Sequence, residues 1–318
     1  MKILFIIDKL ELKYFEFNKL VTNFWLIKGF LDRNNEVYIT TIPNLSLMGD
    51  IAYTHCFETF EADENIFYKN TQIIREIDDF DLVMFRPDPP VDIDYINATY
   101  IFDFVKNAKV INSPAAIRDF NEKLHSVYFK NLMSENIVTA SLKDIEGFLA
   151  QHKEIVLKPL NRCFGSGVMY LYEGDPNTRT IINTLTNNET TLVMVQKFIK
   201  GVKYGDKRVL TLGKSILPYS VKKLPSDDDF KFNTHNDSFI VKAELTEKEK
   251  NDFSYVAQRL CGMGIYMAGL DVIDGKIIEV NVTSPCYFIK EINSLFGIKL
   301  EDEICEYLLT GNLLSLRI

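Results

Sequence analysis

The sequence predicts an α/β protein: a largely parallel, helix-flanked sheet in its first third, then a region of antiparallel hairpins. Three observations carry this. Short apolar runs such as Ile3–Ile7 read as strands buried on both faces. Between the first two of them, "FNKLVTNFWLIKGFLDRNN" has apolar residues at helical spacing. Further along, runs such as "EIVLKPL" and "GVMYLYEG" follow one another across glycine-bearing loops, the mark of hairpins. With 318 residues, 47% apolar and 25% charged, the chain can form two or three lobes with real cores.

In order, the N-terminal strands are Ile3–Ile7, Glu36–Ile42, Leu82–Arg86 and Lys109–Asn112. In open parallel sheets ligands gather beyond the carboxyl ends of the strands. There "LVMFRPDPP" places Arg86 and Asp88, and its prolines stop the strand. "VINSPAAIRDFNEKL" runs from a strand into a Ser113-Pro114 helix start, with Arg118, Asn121 and Lys123 placed on that helix. The aromatic helix around Phe15–Phe30, with Trp25, reads as interface or core, with core the default. "TLVMVQKFIKG" is a strand, and "GDKRVLTLGKSILPYSVKKL" gives two more, joined at Leu212–Lys214. The polar tract 225–239 is loop-like. A helix runs from Thr246, with part of a capping box, to Gly262, and two more cover Ile289–Phe296 and Glu301–Leu309.

The net charge of −8 argues against nucleic acid or an anionic membrane as partner. "MKILFIID" is too short an apolar run for a signal peptide, and no run approaches a membrane span. Five scattered cysteines without C-x-x-C, and four separated histidines, offer no zinc framework and suggest reduced thiols in the cytoplasm. "GKS" at 213–215 lacks the earlier glycine of a P-loop, and no G-x-G-x-x-G follows a strand.

"AGLDVIDGKIIEVNVTSP", 268–285, holds the densest chemistry. Strand alternation puts Glu279 and Asn281 on one face. Asp271 joins them if Ile273-Asp274-Gly275 forms a three-residue loop with Gly275 as a left-handed bulge, pairing Asp271 with Ile277. Then Leu270, Val272, Ile278, Val280 and Val282 make the apolar face. Two carboxylates and an amide oxygen suit Mg²⁺ held with substrate phosphates. Lys123, Lys158, the "NRCFGSG" loop with Gly165, Arg208, Lys231 and Asn233 complete a set of phosphate-binding and charge-stabilising groups.

Together "FRPDPP", "ATYIFDF", "INSPAAIRDFNEKL", "VLKPL", "EGDPN", "GDKRVL" and "GLDVIDGKIIEVNVTSP" resemble the prokaryotic-type glutathione synthetases, which are ATP-grasp ligases. The resemblance runs in order over about residues 82–290. It implies an N-terminal α/β domain (1–122), a central ATP-grasp lid (123–200) and a C-terminal ATP-grasp domain (201–318), with α+β character in the last two. It implies that Lys123, Lys158, Gly165 and Asn233 bind ATP, that Gln196, Lys197, Phe198 and Ile199 form the adenine hinge, and that Asp206 lies near the ribose. Asp271, Glu279 and Asn281 would hold two Mg²⁺ or Mn²⁺ ions, Arg208 and Lys231 would act on the transferring phosphoryl group, and Arg86 and Ser284 would bind substrate. The implied reaction joins γ-glutamylcysteine and glycine through an acyl phosphate, giving glutathione, ADP and phosphate, in a cytoplasmic homo-oligomer. A ligase for another acid and amine, or a nucleotide-binding regulator, are the alternatives. The chain departs from the family pattern at Arg162, Cys163 and Phe164, at "KFNTHNDS", where Lys231 replaces arginine, and at Leu20-Val21-Thr22.

Overall fold

A computed structural model describes residues 1–8, 19–163, 165–225 and 240–311. The expectations for Phe164, Lys231 and Asn233, and for the polar tract from 226 to 239, lie outside the described residues.

Among the described residues, three sheets follow one another along the chain. The first has eight strands: β1 (Lys2–Ile7), β2 (Glu36–Thr41), β3 (Leu45–Met48), β4 (Ile51–Ala62), β5 (Asn65–Tyr68), β6 (Ile73–Glu76), β7 (Leu82–Phe85) and β8 (Lys109–Ile111). β1 pairs in parallel with β2 and β7, and β7 with β8, as the apolar runs predict. The antiparallel strands β3 to β6, added beyond β2, are absent from the sequence reading. Residues 3–7 of β1 are wholly buried because both faces are covered. On one face lies helix α1 (Thr22–Leu31), which buries Phe24, Leu26, Ile27 and Phe30 while Trp25 is only half-buried. On the other lies helix α2 (Ile93–Ile101), with Tyr95 and Ala98.

Helix α3 (Pro114–Asp119) starts as expected, Ser113 Oγ accepting from Ala116 N. It stops earlier than expected. Phe120 is extended, and Asn121 Oδ1 caps the next turn by accepting from Lys123 N and Leu124 N. Asn121 and Lys123 therefore lie beyond the helix.

The second sheet contains β9 (Asn136–Thr139), β10 (Glu154–Pro159), β11 (Met169–Tyr172) and β12 (Val193–Lys197), in the order β11-β10-β12-β9. Ile155 and Leu157 of β10, with Val193 and Val195 of β12, pack on helices α4 (Leu142–His152) and α5 (Thr178–Leu185). Alternation turns Val156, Lys158 and Gln196 to the opposite side.

The third sheet contains β13 (Asp206–Leu212), β14 (Ser215–Ile216), β15 (Ser220–Lys223), β16 (Ile240–Ala243), β17 (Met267–Ile273) and β18 (Lys276–Asn281). The expected second strand of "GDKRVLTLGKSILPYSVKKL" is split into β14 and β15 around Pro218, which has no N–H for a ladder. Val209, Leu270, Val272, Ile277 and Val280 pack on Phe253, Val256 and Leu260 of helix α6 (Glu247–Gly262). Each such buried side chain contributes ~1.5–3 kcal/mol. The α6 capping box is complete rather than partial: Thr246 Oγ1 accepts from Glu249 N, and Glu249 Oε2 accepts from Thr246 N. The other face of the sheet, through Leu210, Leu212 and Met267, joins one core with Ile3, Phe5 and Ile7 of the first sheet and with helices α7 (Ile289–Phe296) and α8 (Leu300–Thr310).

Candidate active site

The β17–β18 hairpin closes more tightly than its apolar pattern suggested. Ile273 pairs with Lys276, so Asp274-Gly275 alone make the turn, both at positive φ. The extra residue sits higher, between Ile277 and Glu279, where the register shifts opposite Asp271 and Val272. Ile277, not Ile278, joins the buried face. The shift restores Asp271 opposite Glu279, so Asp271, Glu279 and Asn281 share a face by a different route from the one expected. It also turns the Ile278 carbonyl outward, where Lys158 Nζ donates to it at 3.0 Å.

Arg208 on β13 is register partner to Asp271. Its Nε and Nη2 donate to Asp271 Oδ1 and Oδ2 at 2.7 and 3.1 Å, and Nη1 donates to the Cys286 carbonyl at 2.9 Å. Gly269 makes room for it, since a Cβ there would stand 3.0 Å from Nη1. Lys223 on β15 lies opposite Asp206, pairs with it at 2.7 Å and reaches Asp271 at 3.6 Å. Asn281 Nδ2 donates to Asp271 Oδ2 at 3.0 Å and to the Gly269 carbonyl, leaving Oδ1 for a ligand. Lys123 Nζ donates to Glu279 Oε1 at 2.9 Å and to the Arg162 carbonyl of the glycine-bearing loop at 2.6 Å.

Burial acts to raise the Asp271 carboxyl, but Arg208 and Lys223 outweigh it and hold it well below the usual range. For Asp206 burial prevails over Lys223 and pushes the carboxyl up to about 6. Burial lowers Lys158. Burial would lower Lys123 as well, yet Glu279 raises it.

One cavity of about 350 Å³ is lined by Arg86, Lys158, Gly165, Gln196, Lys197, Phe198, Ile199, Asp206, Arg208, Asp271, Glu279, Asn281 and Ser284. Lys123 stands behind its wall, in contact through Glu279. Every described residue expected at the site is thus in or against one space. Lys223, Glu122 and Phe288 also line it and were missed in the sequence. Phe288 puts its ring 5.5 Å from the Arg208 guanidinium. The expected N-terminal departure, Leu20 to Thr22, lines the cavity too, and Thr22 Oγ1 accepts from Tyr287 N.

The donor set fits a hard divalent cation. Among the described residues no three His, Cys, Asp or Glu side chains converge as a metal cage. Two carboxylates and an amide oxygen on adjacent strands leave coordination positions for phosphate and water, as Mg²⁺ prefers. Two buried polar atoms, Asp206 Oδ1 and Gln196 Nε2, have no hydrogen-bond partner among the described residues, as expected of a wall shaped for a polar ligand.

Known proteins are similar to this chain over most of its length. Residues 1–118 match the family described as prokaryotic glutathione synthetase, N-terminal domain, and residues 122–297 match prokaryotic glutathione synthetase, ATP-grasp domain. Among curated relatives, a glutathione synthetase of Neisseria meningitidis serogroup A is 34% identical over 296 residues, covering 91% of this chain and 92% of its own. One from Prochlorococcus marinus subsp. pastoris is 32% identical over 312 residues, covering 97% and 99%. Among solved structures, the ATP-grasp ligase PsnB, complexed with a precursor variant, Mg and ADP, superposes with a TM-score of 0.64 at 14% identity, covering 96% of this chain and 97% of that one. No helix among the described residues is long and apolar enough to cross a membrane.

Proposed function

We propose, for a chain that belongs to the prokaryotic glutathione synthetase family, that the cavity between its second and third sheets takes ATP and that the side facing the first sheet takes the acid and the amine. The chain is an ATP-dependent carboxylate–amine ligase that condenses γ-glutamylcysteine with glycine to give glutathione, ADP and phosphate. The observation that carries the site assignment is that Arg208 binds Asp271, Lys123 binds Glu279, and Lys158 binds the Ile278 carbonyl beside them.

A carboxylate is a poor electrophile, and phosphorylation by ATP turns it into an acyl phosphate that an amine can attack. On this reading Lys123 and Lys158 bind phosphate oxygens. Arg208 neutralises charge on the transferring phosphoryl group and then on the tetrahedral oxyanion. Lys231 shares the first task, and Gly165 and Asn233 contact the nucleotide. Asp271, Glu279 and Asn281 would hold Mg²⁺ or Mn²⁺, two ions on this reading, which would supply positive charge against the phosphates. Gln196 to Ile199 form the adenine hinge. The N–H groups of Lys197 and Phe198 already donate to the Glu135 and Glu154 carbonyls, so base recognition falls to Ile199 and the Gln196 amide. Asp206 stays assigned to the nucleotide, and Arg86 and Ser284 to the substrates. The domains divide as 1–122, 123–200 and 201–318, and the enzyme works as a cytoplasmic homo-oligomer.

The test is ADP release with MgATP and γ-glutamylcysteine, with and without glycine. Glycine-dependent ADP matched by glutathione supports the reading. Saturable MgATP binding without that turnover overturns the substrate assignment in favour of another acid and amine.

A further inference from the structure

Asp271 carries more donors than a metal ligand can keep. A carboxylate offers about four acceptor positions, two on each oxygen. Oδ2 accepts from Arg208 Nη2 at 3.1 Å and from Asn281 Nδ2 at 3.0 Å. Oδ1 accepts from Arg208 Nε at 2.7 Å and faces Lys223 Nζ at 3.6 Å. Every acceptor position of Asp271 therefore has a donor against it. A divalent cation that takes an oxygen lone pair of Asp271 must first move one of these groups.

The donors are not equally movable. The two from Arg208 belong to one planar fork and yield only as a unit. The Asn281 amide is held in place by the Gly269 carbonyl, to which it also donates at 3.2 Å. Lys223 makes the longest contact, and its ammonium is a point charge at the end of a flexible stem. It also has somewhere to go. Lys223 on β15 and Asp271 on β17 flank β13, and Lys223 is register partner to Asp206 of that middle strand. It already pairs with Asp206 Oδ2 at 2.7 Å. The other oxygen, Asp206 Oδ1, is buried without a hydrogen-bond partner among the described residues. A small swing of the ammonium toward Asp206 would serve that oxygen and clear Asp271.

Electrostatics push the same way. Arg208, Lys223, Asp206 and Asp271 are all buried, two cations against two anions, so the group is neutral as it stands. Two further positive charges at Asp271 would repel the ammonium at close range, where water screens little.

We propose that Lys223 is a resident counter-cation of the metal face, which a divalent cation displaces from Asp271 onto Asp206. This rests on the assignment of Asp271 and Glu279 to the metal in the functional reading above. Lys223 and Asp206 are then positioning residues that set the affinity for the metal without ligating it.

Mn²⁺ binding to the nucleotide-free protein tests the exchange without turnover. It is read from the EPR signal of unbound Mn²⁺, in mildly alkaline buffer where Asp206 is ionised. Asp206→Asn removes the receiving carboxylate and leaves Lys223 on Asp271. We expect Mn²⁺ affinity to fall by about fivefold or more. Combining Asp206→Asn with Lys223→Met removes the competing cation too, and a buried pair taken out whole is often tolerated. In that protein we expect affinity to rise above that of the parent by about fivefold or more. Opposite signs support the exchange. Weaker binding in both proteins, or no change in either, overturns it. Should Asp206→Asn not fold, Lys223→Met alone decides: tighter Mn²⁺ binding supports the exchange, and unchanged or weaker binding overturns it. Glu279→Gln separates this result from the metal assignment. Weaker Mn²⁺ binding in that variant, without the reversal of sign in the others, overturns the exchange alone. Mn²⁺ binding indifferent to Glu279 overturns the metal assignment and the exchange with it.

Discussion

Arg208 and Asp271 face each other at the same register of β13 and β17, joined by two charge-assisted hydrogen bonds of 2.7 and 3.1 Å. The geometry is the planar fork that only arginine supplies. It holds the guanidinium at the carboxylate proposed to meet the metal, so the residue that neutralises phosphoryl charge and the residue that places the cation are fixed by one contact.

Replacing Arg208 with lysine keeps the charge and loses the fork. We expect turnover to fall by ~10²-fold while the protein stays folded. Arg208→Ala, which leaves buried Asp271 with only Lys223 at 3.6 Å and the Asn281 amide, should in addition cost about 3 kcal/mol in urea unfolding. A lysine variant with unaltered kcat would remove Arg208 from the chemistry.

Glu279 offers a cleaner separation of metal from nucleotide. Glu279→Gln keeps the shape and a partner for Lys123 but removes a hard anionic ligand. We expect ATP turnover to fall by ~10²–10³-fold and the Mg²⁺ concentration giving half-maximal rate to rise. Titrating Mg²⁺ at saturating ATP checks this, and an unchanged Mg²⁺ dependence would refute the metal assignment.

How far the sequence could lead to this site is clearest at the hairpin. Alternation revealed the face shared by Glu279 and Asn281, because residue type repeats with the strand period. Asp271 was joined to it through a three-residue loop that the structure replaces with a bulge higher up. The position of the extra residue was not legible. Both placements give nearly the same apolar stripe, and the choice is tied to contacts such as Lys158 with the Ile278 carbonyl, made 120 residues away. Lys223 was overlooked for a related reason: nothing local to "VKKL" says that it faces Asp206. Strands β3 to β6 escaped because the inward positions of β4 include Ala52, Thr54 and Cys56, too small or polar to show the alternation that buries them. The capping box at Thr246, by contrast, was fully present in the letters, since Glu249 stands three residues on.

Gly205 links the hinge to β13 and sits at φ +98, where a Cβ would approach the Lys223 carbonyl to 2.4 Å. Both the backbone angle and the contact exclude a side chain. We expect Gly205→Ala to destabilise by about 2–4 kcal/mol and, by pushing on Lys223, to weaken activity beyond its effect on folding. Thermal unfolding and kcat measured well below the melting point separate the two. Full activity per folded molecule would show that Lys223 tolerates displacement.

Asp206 sets a pH dependence with a definite sign. Its folded carboxyl is raised to about 6 from the ordinary 3.8, mainly by burial. Between those values the folded state holds a proton that the unfolded state has released, so this group contributes stability below pH 3.8 that is lost as pH rises to about 6. Asp271 acts in the opposite sense. Its folded carboxyl is depressed, so its contribution is complete above the ordinary aspartate range and fades only as pH falls below it. Asp206→Asn removes the first effect and leaves the second. We therefore expect the variant to lose less stability than the parent on going from pH 4 to pH 6.5, by on the order of 2 kcal/mol in urea unfolding. Parallel stability curves for the two proteins across that window would mean that Lys223 keeps Asp206 ionised throughout, and that the buried pair is a fixed part of the site.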